Sequence, residues 1–116
     1  MKFKTYLVQE AQLENKALIE FIEAELRARK ISKKKHKIEF DSEFDKYQFR
    51  IGIYKISVIR DIVYFTAIDS GITIKVTGNL RKIVDRIAPF IIGEEGLGDL
   101  SRNMIVSSSE MRKFGL

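Results

Sequence analysis

The run YQFRIGIYKISVIRDIVYFTAIDSGITIKV, residues 47–76, decides the fold. Within it, in FRIGIYKIS (49–57), the apolar residues fall on odd numbers as far as Ile53 and on even numbers from Tyr54. Side chains along a strand alternate between faces, so this shift either turns the chain over or marks a turn. A two-residue hairpin loop at Gly52 and Ile53 removes it. Glycine supplies the positive φ that the first position of a type II′ turn demands. Ile51 then faces Tyr54, Phe49 faces Ile56 and Tyr47 faces Val58, all on one side. A second turn at Arg60 and Asp61 sets Val58 against Val63, Ile56 against Phe65 and Tyr54 against Ala67. A third at Asp69 and Ser70, before Gly71, sets Phe65 against Ile74, Ala67 against Ile72 and Val63 against Val76. Three separately chosen turns give one apolar face, and a slip of one residue at any of them would put a row of isoleucines into water. The competing arrangement is a single bulged strand over residues 46–60.

Outward from this meander, residues 9–30 read as a helix rich in Ala, Leu and Glu. Its apolar set is Ala17, Leu18, Phe21, Ile22, Leu26 and Ala28, with Lys16, Glu20, Glu23, Arg27 and Lys30 opposite. Lys16/Glu20, Glu23/Arg27 and Glu25/Arg29 stand at the four-residue spacing of helix ion pairs. A short strand is expected before it at Phe3–Val8, and KIEF (37–40) reads as an added edge strand. A second helix is expected over about 79–92, with Asn79 as N-cap and Leu80, Ile83, Val84, Ile87 and Ile91 on its apolar side. Pro89 should kink or end it, since it has no amide to bond back to Asp85. NMIVS (103–107) reads as a short strand and SSSEMRKF (107–114) as a capped short helix. The expected fold class is α+β: a four-stranded antiparallel meander over about 46–77 with both helices on one face. The 116 residues suit one compact domain, 1–116.

Composition narrows the function classes. There is no cysteine, which excludes disulfides, thiolate metal sites and cysteine nucleophiles. Neither a signal-peptide run nor a stretch of about 20 apolar residues occurs, so the expected location is cytoplasmic, without membrane contact. The net charge of +5 is local. RARKISKKKHK (27–37) holds seven cations and no acid, leaving the rest of the chain at −2. Basicity therefore has to be weighed patch by patch.

Catalytic constellations are sparse. His36, the one histidine, sits among lysines, where a metal cation is disfavoured and no second ligand is near. The serines of VSSSEM start a helix and have no other imidazole to serve as base. EFDSEFD (39–45) and GEEGLGD (93–99) lack calcium-loop spacing, and the latter's acids would repel the phosphate a glycine loop cradles. No enzyme activity, metal or cofactor is expected.

The sheet face opposite the apolar one carries the one surface worth testing. In the register above its rows are Arg50, Lys55, Thr66 and Thr73, then Gln48, Ser57, Tyr64 and Lys75, with Lys46, Ile59, Ile62 and Thr77 at the rim. Cations around an exposed aromatic suit single-stranded nucleic acid, whose bases stack on the ring while phosphates meet Lys and Arg. The expected binding residues are Arg50, Lys55, Tyr64 and Lys75, assisted by a flexible arm holding Lys33, Lys34, Lys35 and Lys37. Two other readings stand beside this one. The face is an ordinary wet side of an antiparallel sheet, or Ile59, Ile62 and Ile68 mark it as covered, by the C-terminal segment, by a second copy or by a protein partner of a regulatory or adaptor protein. In element order, residues 47–87 are similar to the single-strand-binding unit of the Whirly family, and that resemblance implies single-stranded nucleic acid as ligand.

Overall fold

The structure is a computed structural model that describes the backbone of residues 2–116 and the side chains of residues 14–116. Helix α1 (Lys2–Ala28) leads into five strands, β1 (Glu39–Asp41), β2 (Lys46–Ile51), β3 (Tyr54–Ile59), β4 (Ile62–Ala67) and β5 (Thr73–Val76). Helix α2 (Leu80–Ile91) and the short helix α3 (Ser108–Lys113) follow, with two single 3-10 turns between them. The strands form one antiparallel sheet in chain order, β1 to β5.

Turn chemistry sets the register. Ile51 pairs with Tyr54, Phe49 with Ile56 and Tyr47 with Val58. Val58 pairs with Val63 and Ile56 with Phe65, and Phe65 in turn pairs with Ile74. The hairpin arrangement is therefore the one present, and the single bulged strand is not. Gly52 has φ +58° while Ile53 stays out of the positive region, as a glycine-led turn requires. The next turn is less comfortable: Arg60 (φ 50°) and Asp61 (φ 66°) both take left-handed conformations without being glycine. The Asp61 amide is held by donating to the buried Asn15 side chain of α1 at 2.9 Å, which ties the helix to the turn.

The apolar sheet face and the two long helices enclose the core. Ile19, Ile22 and Leu26 of α1 meet Ile83, Val84, Ile87 and Phe90 of α2 over Phe49, Ile56, Val58, Val63, Phe65 and Ile74. Asn79 caps α2 by accepting from the Lys82 amide at 3.0 Å. Pro89 sits in the last turn, and the helix runs only two residues past it.

Several local expectations differ. Residues 3–8 belong to α1, so no strand precedes the helix. The buried stripe of α1 is rotated from the expected one: Ile19 is in the core, Ala17 and Ala28 are exposed, and Glu23 is buried. Glu23 tolerates burial because it accepts from the Arg27 side chain at 2.8 Å and from the His36 amide at 3.0 Å. The edge strand forms two residues later than KIEF, as Glu39–Asp41. NMIVS contributes one bridge, Ile105 to Ile74, in place of a strand.

The left-handed Arg60–Asp61 turn generates a stability prediction. Replacing the pair by Asn-Gly should raise unfolding stability by about 1 kcal/mol, since those residues accept both positive φ values. Urea denaturation reads it, as a higher midpoint at unchanged slope. Asn15→Ala should move the midpoint the other way by losing the turn's hydrogen bond.

Candidate functional site

The outer sheet face divides into a covered end and an open end. After bridging to β5, where the Val106 amide donates to the Thr73 carbonyl at 2.7 Å, the chain crosses the end of the sheet that carries the β3–β4 turn. Ser107 caps α3 by accepting from the Glu110 amide, as VSSSEM implied. Val106, Met111, Phe114 and Leu116 then close over Ile59, Ile62 and Tyr64 as a second apolar cluster. Ile59 and Ile62 are thus covered by the chain's own C-terminal segment, whereas Ile68 stays exposed.

This overturns one expected contact and restricts another. Tyr64 is no stacking platform: it is 1% exposed, lies 5.8 Å from the Phe114 ring and donates its hydroxyl to Glu110 at 3.4 Å. Burial, first, and the Glu110 charge raise its pKa above the usual tyrosine value. Lys75 stays exposed but pairs with Glu110 at 2.7 Å, chiefly through that hydrogen bond, which raises its pKa. One carboxylate therefore occupies the cation and the phenol that were expected to meet a nucleic acid.

At the β2 side, Lys46 is buried rather than at a solvent rim. Its ammonium donates to the Gly115 carbonyl at 2.6 Å, sits over the Phe44 ring and lies 3.9 Å from Asp41. Burial lowers its pKa, against the pull of Asp41. Gly115 is packed so closely on Phe44 that a Cβ there would enter the ring.

The open end holds Arg50 and Lys55, register partners at the tip of the β2–β3 hairpin. Arg50 is exposed and Lys55 half-buried. Burial lowers the Lys55 pKa, and the positive charges of Lys46 and Arg50 push it the same way. Lys37 joins them, lining one shallow pocket with Glu39, Gln48 and Arg50. The arm that carries Lys37 is folded against α1 instead of hanging free. Glu23 accepts the His36 amide, the His36 ring stacks on Phe49 at 5.8 Å and bonds to Ser32 at 2.5 Å. Lys33, Lys34 and Lys35 point into solvent from this fixed loop.

Arg27, Arg29, Lys46, Lys75 and Arg86 each have an acidic partner. Among the described residues, Lys33, Lys34, Lys35, Lys37, Arg50 and Lys55 have none, and neither have Lys16, Lys30, Arg60, Arg81, Lys82, Arg102, Arg112 and Lys113. The described residues also contain no cluster of three metal-ligating side chains and no helix long and apolar enough to cross a membrane. Glu95 of GEEGLGD pairs with Arg86, an ordinary surface role. Exposed apolar residues gather elsewhere: Ile53 and Ile68 meet at neighbouring hairpin tips, joined by an amide of Ile68 donating to the Ile53 carbonyl. In comparisons with known proteins, no family model, no curated protein and no solved structure matches this chain.

Two predictions follow from the covered end and the lysines. Phe114→Ala should cost about 2 kcal/mol, whereas Glu110→Gln, which breaks a solvent-accessible pair, should cost less than about 1 kcal/mol. Chemical denaturation of the two variants gives the comparison, and equal losses would contradict an apolar latch. The second concerns pH. Lys46 and Lys55 bind protons less tightly folded than unfolded, so stability should rise as pH approaches the ordinary lysine value of 10.5 from below. Tyr64 and Lys75 hold protons more tightly folded, so stability should fall as pH climbs above 10.0 towards their folded values. Urea midpoints across alkaline pH read both limbs, and Lys55→Gln should flatten the rising one.

Proposed function

We propose that this protein is a small, non-enzymatic nucleic-acid-binding protein that grips the phosphate backbone. The observation that supports it is the crowding of cations without an acidic partner among the described residues: Lys33, Lys34, Lys35 and Lys37 within one loop, and Arg50 beside Lys55 across the β2–β3 hairpin. Lys37 and Arg50 share one pocket, so the basic arm and the sheet face make a continuous surface. Gathering like charges costs self-repulsion; at Lys55 burial lowers the pKa first, and the charges of Lys46 and Arg50 add to it. A polyanion relieves that repulsion and releases its own counterions, which favours binding at low salt. With Tyr64 under the C-terminal segment, base stacking drops out, and with it the argument for single strands above double strands.

A second reading keeps the chain non-enzymatic but gives it a protein partner. Its own C-terminal segment occupies Ile59 and Ile62, so such docking falls to Ile53 and Ile68 at the hairpin tips. Light scattering separates the two: a persistent dimer lost in Ile53→Ser/Ile68→Ser favours docking by a second copy.

A salt titration of oligonucleotide binding tests the first reading. Wild type should lose affinity as salt rises, and Lys33, Lys34, Lys35 and Lys37 changed together to Gln should flatten the log–log slope by about 0.7 to 0.9 per phosphate contact removed. Lys75→Gln should leave the slope unchanged. Absence of binding at low salt, or equal binding by the quadruple variant, overturns it. Single- and double-stranded probes of equal length decide strand preference.

A further inference from the structure

Two buried side-chain polar atoms among the described residues have no hydrogen-bond partner, Gln48 Oε1 and Ser57 Oγ. They are not scattered. Gln48 and Ser57 face each other across β2 and β3. Along β2, Gln48 lies between Lys46 and Arg50 on the same face, and along β3 the next residue on that face from Ser57 is Lys55. Native folds leave few buried polar atoms unpaired, and those that remain often mark an unseen water or ion. A water would satisfy the hydroxyl but leave Arg50 and Lys55, register partners without an acid among the described residues, facing each other. A cation is disfavoured by the same two charges.

Two of the acids near this face are already engaged. Glu110 is held by Lys75 and Tyr64, and Asp41 stands beside Lys46 at the far rim. Glu39 flanks Gln48 from β1, but no ion pair joins it to Arg50 or Lys55 among the described residues. The missing component is therefore an acceptor with negative charge and several oxygens.

We propose that Arg50, Lys55, Ser57 and Gln48 form a discrete oxyanion site that seats one phosphate group on the outer face of the β2–β3 hairpin. The Ser57 hydroxyl donates to one oxygen, the Lys55 ammonium to a second and the Arg50 guanidinium to a third, all charge-assisted bonds to the anion. Turning the Gln48 amide about its last bond exchanges its carbonyl for an NH₂ donor, so the other orphan is satisfied too. Lys46 contributes charge from its seat on Gly115 without leaving it. Ser57 has no surface of its own, so a ligand would reach it only where the half-exposed side chains of Gln48 and Lys55 turn aside. The source of the phosphate rests on the nucleic-acid reading, where it is a backbone phosphodiester; a free phosphate presents the same oxygens.

The test is a titration with inorganic phosphate at constant ionic strength, balanced by chloride, followed by amide and side-chain NMR. Saturable shifts should centre on Gln48, Arg50, Lys55 and Ser57, and Lys55→Gln should weaken binding about tenfold. Ser57→Ala should weaken it less while leaving the spectrum folded. Shifts that never saturate, that centre on residues 33–37, or that persist unchanged in Lys55→Gln overturn the site. A parallel oligonucleotide titration separates the two claims. Phosphate binding at Ser57 without oligonucleotide binding supports the site and assigns it to free phosphate. Oligonucleotide binding that is undiminished in Lys55→Gln and leaves Ser57 unmoved overturns the site while the arm-based grip stands.

Discussion

Everything in this fold depends on one register. Because successive residues of a strand face opposite ways, pairing Ile56 with Phe65 on one side obliges Ser57 to meet Tyr64 on the other. The helices need the first side continuous, and Ile19, Ile22, Leu26 and the apolar stripe of α2 find it so. The second side is fixed as a by-product. Its cations, hydroxyls and isoleucines are placed by the demands of a core they do not touch.

That second side is then partitioned by the last dozen residues. They draw the rim isoleucines and Tyr64 into an apolar cluster, and they leave the hairpin tip with Arg50 and Lys55 uncovered. Lys46 marks the border. A buried ammonium is costly unless its protons find acceptors, and here a backbone carbonyl and an aromatic face take that part. The sheet thus supports two unlike environments within a few residues of each other.

Legibility in the sequence followed distance along the chain. The β2–β5 register, the glycine-led turn and the caps at Asn79 and Ser107 are written in neighbouring residues, where periodicity and turn chemistry act directly. The orientation of α1 was legible only in part, because Glu23 reads as a surface acid until its partner His36, thirteen positions on, is known. The fate of Tyr64 was out of reach. Its partner Glu110 is 46 positions away, and the Lys46 contact to Gly115 spans 69. Arg50, Lys55 and the lysines of the arm were named from the sequence and stand at the open surface, whereas the orphaned Ser57 and Gln48 gave no signal there, since an unpaired atom is visible only once all its neighbours are placed.

The clamp between Glu23 and the arm has a consequence for recognition. A loose lysine tail adapts to any anion but surrenders its freedom each time it binds. Here the loop is already pinned at His36 by the helix and by the stack on Phe49. The backbone that carries its lysines is thereby held, and part of the entropic cost of ordering the loop is met when the protein folds. Under the proposed binding to a polyanion, the held backbone would let spacing, and not charge alone, set which anions fit best.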